Sequence, residues 1–347
     1  MNRIAAPSFL PSLAVLELTY LCNHQCRYCS CPWEYGDDFP RLPEMGTDEW
    51  KGLIDKLCGL GVSSFGFTGG EPLLRKDCPE LLSYARNREV ELVEEVDGVL
   101  AARTVKPTVT LLSNGKTVTP HVLDVLAGLG VSISISLPGL STYEWHTGHP
   151  GADLILGLFK KAKEAGVKTT ANITVTAKNL HELYETMGAA ILAGAGQVLL
   201  NRFLPGGRGL HNLEELSLSM DQLGEMVRTA EDVLEASGVP GATGTEFPRC
   251  VPGLSDLKRL HVGYRCSAVK NFFTVDPSGY LRVCNHSRVR ITHHMEWRKA
   301  SSHPRWRDFA LGTFSMPGSC SSCEKRYDCD AGCPEVHTAG WREVMEQ

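Results

Sequence analysis

The chain is 347 residues long, 42% hydrophobic and 22% charged, with 35 Lys and Arg against 40 Asp and Glu and a formal net charge of -5. That length accommodates one large domain with an appended module, or two ordinary domains, and neither the charge balance nor any block of like charges points to a nucleic-acid-binding tail. No apolar run reaches the roughly 18 residues of a membrane helix and residues 1–12 lack signal-peptide organisation, so the 13 cysteines are expected to be reduced and metal-bound in a cytoplasmic protein without membrane or nucleic-acid partners.

A period-two apolar run at residues 13–20 predicts the first strand. It ends at a loop carrying Cys22, Cys26 and Cys29 in a C-x3-C-x2-C spacing. Three thiolates on one short loop can hold three irons of a four-iron, four-sulfur cluster and leave the fourth iron without a protein ligand. A zinc site is the competing use, although zinc ligands usually come as two pairs. The loop runs on to Met45, and a loop longer than about 15 residues inside a compact domain is more often functional than idle.

Residues 47–60 predict a helix with Thr47 as N-cap and Trp50, Ile54, Leu57 and Cys58 on one face. A strand at 62–67 follows, with Thr68-Gly69-Gly70-Glu71-Pro72 at its C-terminal end, and then a helix at 79–86. Residues 90–106 break this pattern: two apolar-alternating runs flank Asp97-Gly98, a pair suited to a type I′ turn, and predict an inserted β-hairpin. Alternation resumes with strand 109–112 leading into Ser113-Asn114-Gly115, helix 120–129, strand 131–137, helix 152–165, strand 169–176 and helix 180–193. Strand 197–203, the segment Pro205-Gly206-Gly207-Arg208-Gly209 and helix 220–237 complete six strand-then-helix units. Such a series predicts a parallel sheet covered by helices and rolled into a partial or full barrel, with the reactive groups beyond the strands' C-terminal ends. After Gly238, Gly and Pro increase and seven cysteines appear between Cys250 and Cys333. That shift predicts a barrel over 1–238, with its hairpin at about 90–106, and a cysteine-rich module over 239–347.

The cysteine triplet at a strand end, followed by Gly69-Gly70-Glu71-Pro72, resembles the radical S-adenosylmethionine (radical SAM) family. The resemblance covers residues 13–203 and implies an α/β fold, a partial (β/α)6 TIM-type barrel. It implies that Cys22, Cys26 and Cys29 hold a [4Fe-4S] cluster, that S-adenosyl-L-methionine chelates the open iron, and that an electron from a flavodoxin- or ferredoxin-type donor cleaves it to a 5′-deoxyadenosyl radical. Tyr28 fills the aromatic position of the C-x3-C-x-aromatic-C pattern, with its ring near the adenine. Gly69, Gly70, Glu71 and Pro72 would let the backbone approach and accept bonds from the cofactor's ammonium. Asn114, Ser136 and Asn172 match strand-end positions that bind ribose and carboxylate, and Arg202 would pair with the carboxylate. Where family members often carry S-x-D-G, this chain has Ser136-Leu137-Pro138-Gly139.

Cys266, twelve residues, Gly279, four residues and Cys284, followed by Cys320-x2-Cys323-x5-Cys329-x3-Cys333, resemble the SPASM extension of peptide-modifying radical SAM enzymes. A zinc ribbon is the alternative. By that resemblance Cys250, Cys266, Cys284 and Cys333 ligate one auxiliary [4Fe-4S] cluster, and Cys320, Cys323 and Cys329 a second. Seven cysteines are one short of two fully ligated clusters, and Asp328, Asp330 or His337 is expected to substitute, unless that cluster keeps an open iron or is lost. Cys58 and Cys78 are expected to be plain buried or cap-region residues, and Cys31 to have no catalytic role. His146, His149, His293 and His294 are expected in solvated loops, and Arg288, Arg290, Arg298, Arg305 and Arg307 on a solvated face able to meet an acidic peptide.

The function implied is a radical SAM maturase of a ribosomally made peptide, forming a thioether or other cross-link, with one or two auxiliary clusters. With only about a dozen residues before the first strand, leader-peptide binding is expected to be delegated, absent, or carried by an exposed edge such as the 90–106 hairpin. The alternative is a two-electron dehydrogenase of a protein side chain or small metabolite. Sulfatase maturation is disfavoured, because Asn285 stands beside Cys284 where such relatives carry Asp. A non-catalytic iron–sulfur or zinc protein is the third reading.

Overall fold

The computed structural model describes residues 10–36, 38–96 and 99–338. Residues 1–9 of the N-terminal segment and the expected Asp97-Gly98 turn lie outside them. The chain opens with β1 (Leu13–Glu17), α1 (Thr47–Gly59), β2 (Ser64–Thr68) and α2 (Cys78–Arg86). The hairpin β3 (Val90–Val96) and β4 (Val99–Val105) forms its own two-stranded sheet, with Val90 opposite Val105. Next come β5 (Thr108–Ser113), α3 (Pro120–Leu129), β6 (Ser132–Ser136), α4 (Tyr143–Thr147), α5 (Ala152–Glu164), β7 (Thr169–Val175), α6 (Leu183–Ala193) and β8 (Gln197–Arg202). After α7 (Leu213–Leu216) and α8 (Met220–Ser237), the chain makes short strands β9 (Gly241–Thr243), β10 (Leu260–His261), β11 (Phe272–Val275), β12 (Tyr280–Arg282) and β13 (Thr292–His293), then α9 (Pro304–Leu311) and α10 (Pro334–Thr338).

The six βα units form one parallel sheet in the order β8-β7-β6-β5-β2-β1, the partial barrel that the alternation predicts. Residues beyond 238 extend that same sheet at both edges: β9 and β10 beyond β8, and β11 parallel to β1 with antiparallel β12 and β13 outside it. Along β7, Thr169, Ala171, Ile173 and Val175 are buried while Thr170, Asn172 and Thr174 are half-buried. This period of two sends one set under the helices and the other into the lumen. A cavity of about 590 Å³ at the N-terminal end of the lumen is lined by Val15, Gly66, Thr110, Ser134, Thr170 and Leu199 among others.

The helices bury one face each. In α1, Trp50, Leu53, Ile54 and Leu57 are all buried in the main core, each such side chain contributing roughly 1.5–3 kcal/mol. Thr47 is not the N-cap of α1. Gly46 occupies that position, its N–H donating to Glu49 Oε2 at 2.8 Å, while Thr47 Oγ1 donates to Asp77 at 2.7 Å. The first strand also stops three residues early: the ladder to β2 ends with Leu18 N on Thr68 O (2.8 Å), and Tyr20 N then turns to a Glu44 carboxylate oxygen (2.8 Å). No helix among the described residues is long and apolar enough to cross a membrane.

Candidate active site at the barrel mouth

Beyond the strands' C-terminal ends the loop with Cys22, Cys26 and Cys29 is gripped from four sides. Gln25 N and Arg27 N donate to the Thr147 and His146 carbonyls of α4 at 3.1 and 2.8 Å. On the β2 side, Gly70 N donates to Thr19 O (2.8 Å) and Glu71 N to Leu21 O (2.7 Å). A Cβ at Gly70 would stand 2.0 Å from Leu21 O, so only glycine permits this approach. From β5, Asn114 Nδ2 donates to Asn23 Oδ1 at 2.6 Å and lies 4.0 Å from Cys22 Sγ. From the segment after β8, Arg208 Nη1 donates to Cys26 O (3.2 Å), Arg208 also pairs with Glu34, and Gly209 N donates to Cys29 O (3.1 Å). Gly207, at φ +47, approaches so closely that a Cβ would sit 2.4 Å from Cys31 O.

Cys22 is exposed and Cys26 and Cys29 are half-buried. Burial, with the neighbouring thiols of Cys29 and Cys22, pushes the Cys26 thiol well up, so its thiolate requires a cation beside it, which iron provides. Among the described residues no three His, Cys, Asp or Glu side chains are gathered closely enough to hold one metal ion, whereas a [4Fe-4S] cluster takes each thiolate on a different iron. No disulfide is formed among the described residues. Three thiols on one braced loop, one of them facing outward, fit such a cluster.

Glu71 is 1% exposed and its carboxylate accepts from Ser113 Oγ (2.9 Å), Asn114 N (2.8 Å) and Leu73 N (3.2 Å). Three protein donors hold this carboxylate in place, and through Asn114 N it sets the position of Asn114. Arg202 is likewise engaged by the protein itself. It is 2% exposed, and its Nε and Nη2 donate to Glu246 O at 2.9 and 2.7 Å, because strand alternation turns Arg202 away from the lumen while its neighbour Asn201 faces it. Ser136 stands opposite Asn172 across β6 and β7, and Asn201 Nδ2 donates to Asn172 Oδ1 at 2.8 Å. Tyr28 packs its ring at 5.8 Å from that of His146 and bonds through its hydroxyl to Cys26.

Arg208, Asn23, Asn201 and Glu182 were not singled out from sequence. Glu182 stabilises the loop that lacks the S-x-D-G aspartate: its carboxylate accepts from Leu140 N, Ser141 N, Ser141 Oγ and Thr142 N at 2.7–3.1 Å, and from Thr142 Oγ1. A pocket of about 230 Å³ borders the cysteine loop, lined by His24, Lys116, Tyr143, Leu154, Ile155 and Leu158 among others.

The histidines expected in solvated loops are partly internal. His146 is fully buried, with its ring nitrogens 2.9 Å from Thr142 O and Thr176 Oγ1, and His294 is buried. Three arginines of the basic stretch are paired rather than presented to a partner: Arg288 with Asp38, Arg290 with Asp276 and Arg305 with Glu335. Cys58 and Cys78 are buried, as expected.

The auxiliary cysteines lie on neighbouring turns of the C-terminal segment. Cys250 follows Arg249, whose N–H donates to Cys329 Sγ, and Cys329 lines one pocket with Cys320. Cys266 has Cys333 beside it, and Cys284 has Cys266. The 248–251 turn lies against residues 325–329: Arg249 N donates to Cys329 Sγ at 3.4 Å and Lys325 Nζ to Arg249 O at 3.3 Å. Asp330 accepts from Cys266 N at 2.7 Å, and His337 Nε2 lies 2.8 Å from Ala331 O.

Comparison with known proteins agrees with this geometry. The PqqA peptide cyclase of Bradyrhizobium diazoefficiens is 27% identical over 350 residues, covering 96% of this chain and 84% of that protein. The AdoMet-dependent heme synthase of Methanosarcina barkeri is 26% identical over 358 residues, covering 97% of this chain and 95% of that one. Streptococcus suis SuiB bound to the precursor peptide SuiA superposes with a TM-score of 0.70 at 15% identity over 97% of this chain and 75% of SuiB, a likeness of fold. The family model of the Radical SAM superfamily matches residues 16–190. That match begins inside β1, takes in the cysteine loop, the glycine turn and Asn114, and ends in α6; the chain belongs to the radical SAM superfamily and is a radical SAM enzyme.

Proposed function

We propose that this enzyme modifies a ribosomally made peptide, forming a thioether or other cross-link or a related C–H functionalisation, and that residues 239–347 carry auxiliary [4Fe-4S] clusters of the SPASM kind. The observation that carries this reading is the likeness to PqqA peptide cyclases, which spans 96% of the chain and therefore both the radical loop and the seven C-terminal cysteines. When bound, the clusters and S-adenosyl-L-methionine supply a carbon-centred radical that takes a hydrogen atom from the substrate and an acceptor for the second electron. Everything else is the work of the chain. Cys22, Cys26 and Cys29 would hold the cluster, Gly69 and Gly70 bring the β2 turn against their loop, and Glu71 fixes Asn114 beside Asn23. Tyr28 backs the loop against α4, Arg208 braces it from β8, and Ser136, Asn172 and Asn201 line the lumen below. A flavodoxin- or ferredoxin-type donor supplies electrons, and a reducing cytoplasm suits thirteen cysteines with no disulfide among the described residues.

A second reading, oxidation of a small metabolite, is favoured by the likeness to AdoMet-dependent heme synthase at nearly the same identity. To decide between them, the reconstituted, reduced enzyme and S-adenosyl-L-methionine are incubated with the peptide encoded nearest its gene and, separately, with an iron porphyrin. A peptide lighter by about two hydrogens supports the first reading. An unaltered peptide together with an oxidised porphyrin side chain would replace it with the second.

A further inference from the structure

Residues 329–333 run between two groups of thiols. Ala331 has φ +56 and Gly332 φ +101, and this left-handed pair reverses the chain so that Cys329 and Cys333 serve different groups. On one side Arg249 N donates to Cys329 Sγ at 3.4 Å, Arg249 Nε to Asp328 O at 3.0 Å, and Lys325 Nζ to Arg249 O at 3.3 Å. These bonds set Cys250, the next residue, beside Cys329, which lines one pocket with Cys320, and Cys323 N donates to Cys320 O at 3.2 Å. On the other side Cys266, Cys284 and Cys333 are buried, and their acidic neighbours are Glu246, Asp330 and Glu335. Asp330 Oδ2 accepts from Cys266 N (2.7 Å), and Glu335 is paired with Arg305 (2.6 Å). This inner group adjoins the barrel mouth, because Arg282, two residues before Cys284, pairs with Glu17 of β1, and His286 Nε2 lies 2.6 Å from Pro205 O. The outer group is nearer solvent, with Cys250 and Cys323 exposed.

We propose that Cys250 closes the Cys320, Cys323 and Cys329 group as its fourth thiolate, so that the outer auxiliary cluster is fully cysteine-ligated and the inner one, on Cys266, Cys284 and Cys333, has a fourth position not filled by cysteine. This rests on the reading that residues 239–347 bind auxiliary clusters. It places the missing eighth ligand at the inner cluster, beside the barrel mouth, rather than at the outer one. A cluster with four thiolates has the closed ligation of an electron carrier, whereas the inner iron without cysteine is the one whose ligand can change.

The test counts iron in the full-length chain after anaerobic reconstitution, in a parent with Cys22→Ala, Cys26→Ala and Cys29→Ala that retains only auxiliary sites, about eight irons for two clusters. Adding Cys266→Ala and Cys284→Ala leaves the outer group; adding instead Cys320→Ala and Cys323→Ala leaves the inner one. Cys250→Ala is expected to lower the iron of the outer-only protein from about four to three or fewer and to leave that of the inner-only protein unchanged. The reverse pattern would overturn the assignment, and a parent without auxiliary iron would overturn both it and the reading beneath it. Failure of the peptide assay alone leaves these counts intact. Cys250→Ser in the otherwise native chain keeps a donor and guards against misfolding: Mössbauer spectra should show the all-thiolate auxiliary cluster acquire a distinct iron, and unchanged spectra would contradict the proposal.

Discussion

Glu71 and Arg208 tie the cysteine loop to the sheet from opposite sides, and their removal is expected to have different consequences. Glu71→Gln places an amide NH2 where the carboxylate accepts from Ser113 Oγ or Asn114 N. Leaving one buried donor unsatisfied costs about 1–3 kcal/mol, which a lowered melting temperature of the metal-free chain should reveal. Arg208→Ala removes the bond to Cys26 O and the pair with Glu34 but leaves the three thiols in place. We expect iron to be retained less firmly on dilution and 5′-deoxyadenosine formation to fall at least about tenfold, the scale of a lost charge-assisted contact; rates equal to wild type would show that the loop needs no such brace. At this scale the sequence reveals what is local. Cys22, Cys26, Cys29, the glycine turn and Asn114 are legible because each sits at a strand end within a few residues of its motif. Arg208 is not, since only folding brings it to Cys26, and the buried side chain of Arg202 lies on the opposite face from Asn201 because one residue of strand parity inverts the face a side chain occupies.

Among the elements, β1 and β12 share the most consequential contact. Glu17 and Arg282 form a buried ion pair, Arg282 Nη1 also donates to Ser287 O at 2.6 Å, and the guanidinium lies over the rings of Trp33 and Phe39 from the long cysteine loop. Burial raises the Glu17 carboxyl to about 7 despite Arg282. Arg282→Met alone should destabilise by about 3–5 kcal/mol, because buried Glu17 loses its cation and must take up a proton that the unfolded chain does not hold at neutral pH, and adding Glu17→Gln should restore much of it. Urea titrations of the single and double variants check this; equal losses in both would mean that packing, not charge, dominates. Just after β13, His294 is buried with its Nδ1 unpartnered, and burial, then His293 and Lys56, lowers it to about 4, with Glu49 opposing. A lowered histidine binds its proton in the unfolded chain first, so stability is lost as pH falls from about 6.5 toward 4. His294→Gln should remove up to about 1.4 kcal/mol per pH unit of that slope; parallel pH profiles would contradict it. The six βα units were readable from period alone, whereas β9 to β13, of two to four residues each, are too short to carry any periodicity.

For the whole molecule, the change in composition after Gly238 is real, yet the chain beyond it builds no separate sheet among the described residues; it extends the barrel's own sheet at both edges. The inner thiol group is thereby joined to the radical loop through β1, β11 and β12, a continuity that no sequence pattern announces because it depends on pairs more than 250 residues apart. The proposed sorting of seven cysteines into four and three likewise rests on a chain reversal at Ala331 and Gly332 rather than on spacing. All of this is arranged around the loop of Cys22, Cys26 and Cys29, and the decisive measurement is made there. Anaerobically reconstituted, dithionite-reduced enzyme is given S-adenosyl-L-methionine and assayed chromatographically for 5′-deoxyadenosine beside its Cys26→Ala variant. We expect formation by the native chain and none by the variant; continued formation by Cys26→Ala, or a native chain that takes up zinc in place of iron and cleaves nothing, would contradict the assignment.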